Sequence, residues 1–437
     1  MQKILDLHIH SRYSRACSKD LELSKIAQTC EIRGIDIVTT GDFTHPKWFE
    51  SIKNELVEDT AGIYRLKTPP QSSPVRLSSP KSDRGGSPTR FMIGTEVASI
   101  KKHKDKTRRV HHLLFAPSIE VAEKFNKKLE NTGFNLKADG RPILGMTSKQ
   151  ILETMLEIDE RMVMIPAHAW TPWFGIFGSK GGYDTLEEAF EELTPRIFSI
   201  ETGLSSDPLM NAQLSMLDRI TLISNSDAHS PQKLGREANV FDFENEKDIT
   251  YEEIMRILRE KDTKRFKYTI EFYPEEGKYH YDGHAVCKFS CHPRETKKYG
   301  GICPVCKKSL VIGVMNRIEV LSDRTESEAK SAVGIPYKSL VPLPEIIADT
   351  LGVGVATKGV KKIYDGLISN LGNEFSILTE ASLLNIEKWS NAGIADAVDR
   401  VRKGNIHIVP GYDGIFGVVK VFEKINVYKN KQIDLEL

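Results

Sequence analysis

The run ILDLHIHSRYS, residues 4–14, begins apolar and then sets His8 and His10 in alternation with Leu7 and Ile9. In an extended chain successive side chains point to opposite faces, so both imidazoles fall on one side and the apolar pair on the other. Two imidazoles that near can grip one divalent cation. Alone the pattern is weak, and its weight depends on what recurs downstream.

Short β-branched runs follow at residues 35–39, 91–93, 110–115, 162–165, 197–200 and 220–223, making seven with residues 4–7. Each is separated from the next by a helix-like stretch, a rhythm expected of parallel strands with crossovers. Seven such β-ends in order predict a closed α/β barrel, in which the carboxyl ends of the strands carry the chemistry. Glu96 follows FMIGT, His111 and His112 lie in VHHLLF, His168 ends MVMIPAH, and Asp227 and His229 end TLISNSDAH. Any one of these reads equally well as a helix cap or a loop hydrogen-bonder. Together they form a mixed imidazole and carboxylate set suited to zinc, manganese, magnesium or iron, and a site of two or three such ions would suit phosphoester hydrolysis.

Two loops address the substrate. KKHKDKTRR, residues 101–109, is expected to form a hairpin presenting Lys101, Lys102, Lys104, Lys106, Arg108 and Arg109 beside the metal rim, where a polyanion could be held. AWTPWFGIFGSKGG, residues 169–182, sets Trp170, Trp173 and Phe174 among glycines and a proline, in a loop able to stack on or wedge between bases. The net charge of +1 announces no nucleic-acid partner, so that inference rests on these local patches.

Four of the six cysteines, Cys287, Cys291, Cys303 and Cys306, form C-x3-C and then C-x2-C, the two-knuckle spacing of a structural zinc ribbon. His280, His284 and His292 lie nearby as alternates. Cys17 and Cys30 stand apart and read as ordinary thiols. The expected organisation is a barrel over residues 1–270, a zinc segment over 280–312 and a small α+β domain over 313–437. Residues 69–90, rich in Pro, Ser and Gly, are expected to be a flexible insertion. No apolar run reaches the length of a membrane span, and MQKILDLHIHSRYS has no secretory pattern; the expected place is the cytoplasm, with no membrane partner.

DLHIHSRYS, GTEVAS, the VHHLL histidines, PAH and SDAH occur in the order of the metal motifs of the PHP (polymerase and histidinol phosphatase) superfamily, which they resemble over about residues 1–240. That resemblance implies a distorted seven-stranded barrel. It implies a first ion on His8, His10, Glu96 and Asp227, a second bridged by Glu96 to His168 and one of His111 or His112, and a third served by His229. Two departures bear on the third ion. Phe43 stands in GDFTHP where many relatives have histidine, leaving Asp42 or His45 to substitute, and no histidine lies at residues 14–18, though Asp20 is near.

A PHP barrel followed by a four-cysteine zinc site and a short domain carrying PGYDGIFG resembles the endonuclease Q family. The resemblance implies cleavage of DNA on the 5′ side of deaminated bases (uracil, hypoxanthine, xanthine) or abasic sites, with damaged DNA as partner and a sliding clamp as a candidate second partner. It casts His8, His10, Glu96, His168, Asp227 and His229 as the catalytic set. The alternatives are a small-molecule phosphatase of the histidinol-phosphate kind and a catalytically silent DNA-binding scaffold.

Overall fold

The computed structural model describes residues 1–68, 88–104 and 106–423. Strand β1 (Gln2–Asp6) pairs in parallel with β2 (Ile37–Thr39), and β2 with β5 (Arg90–Met92). Helix α1 (Leu23–Arg33) connects the first two strands and stops at Gly34, whose φ of 91° is open to glycine and costly for other residues. After β2 come α2 (Pro46–Glu55) and an antiparallel hairpin, β3 (Leu56–Thr60) with β4 (Ile63–Leu66), which widens the sheet beyond β5. This hairpin was not expected, because its alternating pattern is interrupted by Glu58, Asp59 and Arg65.

A long antiparallel hairpin follows, β6 (Gly94–His103) with β7 (Lys106–Phe115), flanked by β8 (Ile143–Leu144) and β9 (Val163–Pro166). Strands β10 (Ser199–Glu201) and β11 (Thr221–Ile223) pair in parallel. Single bonds close these pieces into a ring. Ala116 N donates to Ile93 O at 3.1 Å, Ala169 N donates to Glu201 O at 2.9 Å, and Ile9 bridges to Ala228. The ring runs β1, β2, β5, β7, β9, β10, β11, a distorted α/β barrel as the family resemblance implies; the departure from the parallel rhythm of the runs is β7, which is antiparallel to β9. Helices α3 (Ile119–Asn131), α4 (Ser148–Ile158) and α5 (Tyr251–Arg259) begin at Ser118, Thr147 and Thr250, whose hydroxyls accept the exposed N–H groups of the first turn.

The sheet continues past the barrel: β12 (Ala238–Asp242) pairs antiparallel to β1, β13 (Phe266–Glu271) antiparallel to β12, and β16 (Tyr337–Ser339) parallel to β13. Between β13 and β16 lie the small hairpin β14 (Asp282–His284) with β15 (Phe289–Cys291), and helix α6 (Val314–Leu321). Five helices then pack together: α7 (Leu343–Leu351), α8 (Lys358–Leu371), α9 (Glu374–Thr379), α10 (Leu383–Trp389) and α11 (Ala392–Arg402). A last hairpin, β17 (His407–Val409) with β18 (Val418–Lys420), lies against residues 275–278.

The C-terminal part is thus mainly helical. It is also firmly joined to the barrel. Arg33 on α1 and Glu374 on α9 form a buried ion pair at 2.9 Å, and one apolar cluster contains Ile26 and Cys30 together with Leu343, Ile377 and Val398. The expected insertion lies outside the described residues for 69–87; Thr89 is buried and Arg90 already belongs to β5. No described helix is long and apolar enough to cross a membrane.

Candidate metal centre and its cleft

His8 and His10 extend from the end of β1 and are fully buried, their rings 5.4 Å apart. His8 Nδ1 sits 3.0 Å from both oxygens of Glu201. Its other nitrogen, Nε2, is buried without a hydrogen-bond partner and faces Asp227 Oδ1 at 3.5 Å and Glu96 Oε2 at 3.7 Å. His10 repeats the scheme. Nδ1 lies 3.1 Å from Asp42, while Nε2 lies 3.1 Å from Asp227 Oδ1 and 3.4 Å from Glu96 Oε2. Glu96 Oε1, on the opposite edge, meets His111 Nδ1 at 2.8 Å and His168 Nε2 at 3.0 Å.

The donor atoms therefore fall into two groups, His8 with His10 and Asp227, and Glu96 with His111 and His168. Ligands about 2.1 Å from one ion stand roughly 3.0–3.5 Å from each other, which is the spacing seen. A carboxylate facing both groups, with His8 and His10 each oriented from behind by a second carboxylate, suits a pair of divalent ions. The residues fit.

Charge in the cluster points the same way. Burial alone would raise the pKa of Glu96, but the facing His111, Arg141 and His8 hold it well below the ordinary carboxylate range. Burial pushes His111 down to about 4, so its lone pair is available at neutral pH. Asp42, His168 and Asp227 all adopt left-handed backbone conformations, with φ of 47°, 29° and 46°. For non-glycine residues this costs about 1–3 kcal/mol each and is characteristic of functional sites.

A cleft opens above the two groups. Arg141, Arg15, Asp139, Trp173, Phe174 and His229 line it together with His111, His168 and Asp227. Arg141 Nη1 donates to Glu96 Oε2 at 2.9 Å. Phe174 stacks on His111 at 4.3 Å, held there because His111 N donates to Phe174 O at 2.8 Å along the edge of β7. Trp173 is half exposed at the rim.

Comparison with known proteins adds the family. Residues 342–405, the helical bundle, match the family model described as the MJ0043 C-terminal domain. The chain is 30% identical over 269 residues to protein MJ0043 of Methanocaldococcus jannaschii, covering 60% of this chain and 33% of that one, so it spans about a third of that relative's length. It is 26% identical to YqxK of Bacillus subtilis, over 96% of this chain and all of the other. It is also similar to the crystal structure of the lesion-specific endonuclease PfuEndoQ from Pyrococcus furiosus, with a TM-score of 0.80 and 30% identity over 100% of this chain and 98% of that one. A second crystal structure, of endonuclease Q in complex with a 27-mer duplex bearing an abasic lesion at the active site, gives a TM-score of 0.78 and 30% identity over the whole of both chains. The chain belongs to the endonuclease Q family.

In this endonuclease Q chain several expected residues take other parts. Glu96 is not at a strand end; it is the third residue of β6, and the pleat of β6 and β7 turns it and His111 to one face. His112 faces away, with Nε2 2.8 Å from Ser148 Oγ. Asp42 is saturated by Ser11 N, Ser11 Oγ, Ser14 Oγ and His10, so it orients His10 rather than holding an ion. His45 stacks on Tyr13 at 4.4 Å and joins neither group. Phe43 is core, and Asp20 is exposed. His229 leans on His10 with its ring 4.5 Å away and opens to the cleft; among the described residues no third ligand group forms in the barrel.

Trp170 is buried, donating to Asn211 Oδ1 at 2.7 Å, so it packs the core and is not a DNA contact. On the basic hairpin Lys101, Lys102, Lys104 and Lys106 are exposed. Arg108 is committed to Gly182 O and to the Tyr183 ring, 4.2 Å away, which removes it from the basic face. Arg109 pairs with Ile100 and alternates onto the face of His111. In the zinc segment the donors gathered together are His284, Cys287, Cys303 and Cys306. Cys291 is buried beside them with its sulfur 3.3 Å from Thr296 Oγ1. His284 thus stands in the group where Cys291 was expected; on the hairpin it lies opposite Phe289, two pairs further along than Cys291, which lies opposite Asp282.

Two residues essential to the geometry were missed in the sequence. Glu201 directly follows the expected run 197–200 and buries its carboxylate against His8 Nδ1, His168 N and Asn225 Nδ2. It could have been found as one more acid at a β-end. Arg141 sits in a loop with no motif to mark it.

Proposed function

We propose that the chain is a damage-specific DNA endonuclease that hydrolyses the phosphodiester on the 5′ side of a deaminated base or an abasic site. The observation that carries this reading is the meeting of two buried ligand groups at Glu96, on the floor of a cleft rimmed by cations and aromatic rings. It is supported by the relative held with an abasic duplex at its active site.

Divalent ions in the two groups would supply Lewis acidity and lower the pKa of water. The chain's own residues set the rest. His8, His10 and Asp227 on one side, and His111 and His168 on the other, are fixed in register by Glu201, Asp42 and the shared Glu96. Arg141 and Arg15 face the cleft where a phosphate would lie. His229, on the open side of His10, is placed to exchange a proton with the substrate. Trp173 and Phe174 offer stacking surfaces for bases, and Lys101, Lys102, Lys104, Lys106 and Arg109 a cationic ridge for the backbone. A zinc ion on His284, Cys287, Cys303 and Cys306 would hold the small segment folded. We place the enzyme in cytoplasmic DNA repair.

The test is a labelled duplex carrying one uracil, incubated with manganese or magnesium, beside the undamaged duplex and an Asp227→Ala chain. A nick immediately 5′ of the uracil, absent from both controls, is expected. Phosphate release from small monoesters without nicking would replace this reading by a phosphatase; silence in both assays would leave a DNA-binding scaffold.

A further inference from the structure

Trp173 and Phe174 form the aromatic wall of the cleft, on a loop whose glycines let it coil tightly on itself. A side chain at Gly175, Gly178 or Gly182 would come to 2.6, 2.5 and 2.5 Å from a loop carbonyl. Phe177 N donates to Ala169 O, Lys180 N to Pro172 O and Tyr183 N to Ile176 O, which ties residues 169–183 into one piece. Within it Phe174 has a φ of 72°, a left-handed conformation that an aromatic residue keeps only where its surroundings impose it. What holds the loop therefore holds the ring that covers His111.

One flank of the loop rests on β7, where Arg109 N donates to Gly181 O at 3.0 Å. The other is held from far along the chain. Arg317, on α6, donates through Nε to Phe177 O at 2.9 Å, and through Nη2 to Tyr183 O at 3.0 Å and Asp184 Oδ1 at 2.6 Å. A planar guanidinium grips the coil at two points at once, which the single ammonium of a lysine cannot do.

The helix that bears Arg317 is placed by the zinc segment. Asp282, wholly buried, accepts from Gly313 N at 2.7 Å and Asn316 Nδ2 at 2.6 Å at the start of α6, and from Thr296 Oγ1 at 2.6 Å. Val314 N donates to Tyr279 O and Met315 N to His280 O. A side chain at Gly313 would meet Tyr281 O at 2.5 Å, so the helix start is pressed against that strand of the chain. Asp282 and the zinc donor His284 lie together on β14. A path of contacts thus runs from β14 through Asp282, α6 and Arg317 to Phe174 and Trp173.

We propose that Arg317 is a positioning residue through which the zinc segment sets the aromatic wall of the cleft, and with it the preference for a damaged over an undamaged duplex. The proposal rests on lesion DNA being the substrate of the barrel site.

The test compares wild type, Arg317→Ala, Asp184→Asn, His284→Ala and the double variant R317A/H284A as full chains. Affinity is measured, without added divalent metal, for a duplex with one abasic site and for the same duplex undamaged, and KM and kcat are measured for nicking with manganese. Arg317→Ala is expected to bind the abasic duplex about tenfold more weakly, the scale of one base–aromatic contact, with the undamaged duplex bound as before. Its KM is expected to rise by a similar factor with kcat within about twofold, because His111 keeps Glu96 and its place in β7. Asp184→Asn, a change on a largely exposed side chain, is expected to show the same pattern at smaller size. His284→Ala is expected to lower the ratio of the two affinities as Arg317→Ala does, and the double variant to lower it no further, since both act through one tether. In a wild type that nicks lesion DNA, an unchanged ratio in Arg317→Ala and Asp184→Asn, or additive losses in the double variant, would overturn this proposal alone. A wild type that neither binds nor nicks damaged DNA would overturn the endonuclease reading and this role of Arg317 with it.

Discussion

His8 gives one ring nitrogen to Glu201 and turns the other, unpartnered, toward Glu96 and Asp227. A carboxylate behind a ligating imidazole fixes its tautomer and raises its basicity, and loss of such a partner typically costs 10- to 100-fold in metal affinity or activity. Glu201→Gln, which keeps the shape and removes the charge, is therefore expected to lower metal affinity of the barrel by about 10- to 100-fold. Metal titration followed by nicking rate measures it; unchanged affinity would mean Glu201 serves only the fold. The neighbouring histidines on β7 make a sharper contrast. His111→Ala is expected to lose nicking by at least about 100-fold, because the Glu96 and His168 group is left with two donors. His112→Ala is expected to keep full metal content but lose about 1–3 kcal/mol of stability, because Ser148 loses its buried partner. Reversal of the two phenotypes would show that the pleat of β7 is misread.

At the level of elements, the zinc segment is a small core of its own, with Cys291, Cys303 and Leu310 buried and Cys287, Phe289 and Cys306 around them. So few apolar residues cannot hold a fold unaided, and a tetrahedral ion is the usual remedy. His284, Cys287, Cys303 and Cys306 are the donors gathered there, with Cys291 beside Thr296. His284→Ala is expected to remove one equivalent of zinc per chain and to expose residues 280–312 to protease, whereas Cys291→Ala keeps the zinc. Metal analysis of the two purified variants separates them, and equal zinc loss in both would restore the all-cysteine site. The β17–β18 hairpin depends on the same segment: Asp413 Oδ2 accepts from Ala285 N at 2.7 Å, and Tyr412 lies across Gly283. Tyr412 and Asp413 thus anchor a turn, and Phe416 is left largely exposed.

Across the whole molecule, the seam between the barrel and the C-terminal part contains buried acids. Glu271, at the end of β13 where β16 joins, is pushed up to about 8 by burial and by the nearby charge of Asp207. Glu237 is raised in the same way by burial and by Glu271, and one of its oxygens has no hydrogen-bond partner. A carboxyl whose folded pKa lies above its unfolded value stabilises the fold in its protonated form. That contribution is complete below the ordinary glutamate range and disappears as pH rises through about 8. The melting temperature is therefore expected to fall between about pH 6 and pH 9, and Glu271→Gln, neutral throughout, to flatten the fall. Thermal melts at the two pH values decide it; parallel curves for wild type and variant would remove Glu271 as the cause.

Several features were determined by the sequence alone. The order of polar residues in and just after short β-branched runs specifies an α/β barrel and names His8, His10, Glu96, His168 and Asp227, because strand alternation and the limits of apolar runs are local properties, although Glu96 proves to lie inside β6 and not at a strand end. The cysteine spacing likewise marks a metal segment without any knowledge of its fold. Only the tertiary structure chose between His111 and His112, since both lie on one strand and the choice depends on which face of β7 meets β6 and β9. It assigned Asp42 to His10, moved Trp170 into the core, replaced Cys291 by His284, and brought Glu201 and Arg141 to the ligands from elements distant in the chain. These are long-range contacts, settled by how the ring closes and how the sheet continues into the bundle, and no local pattern of residue types encodes them.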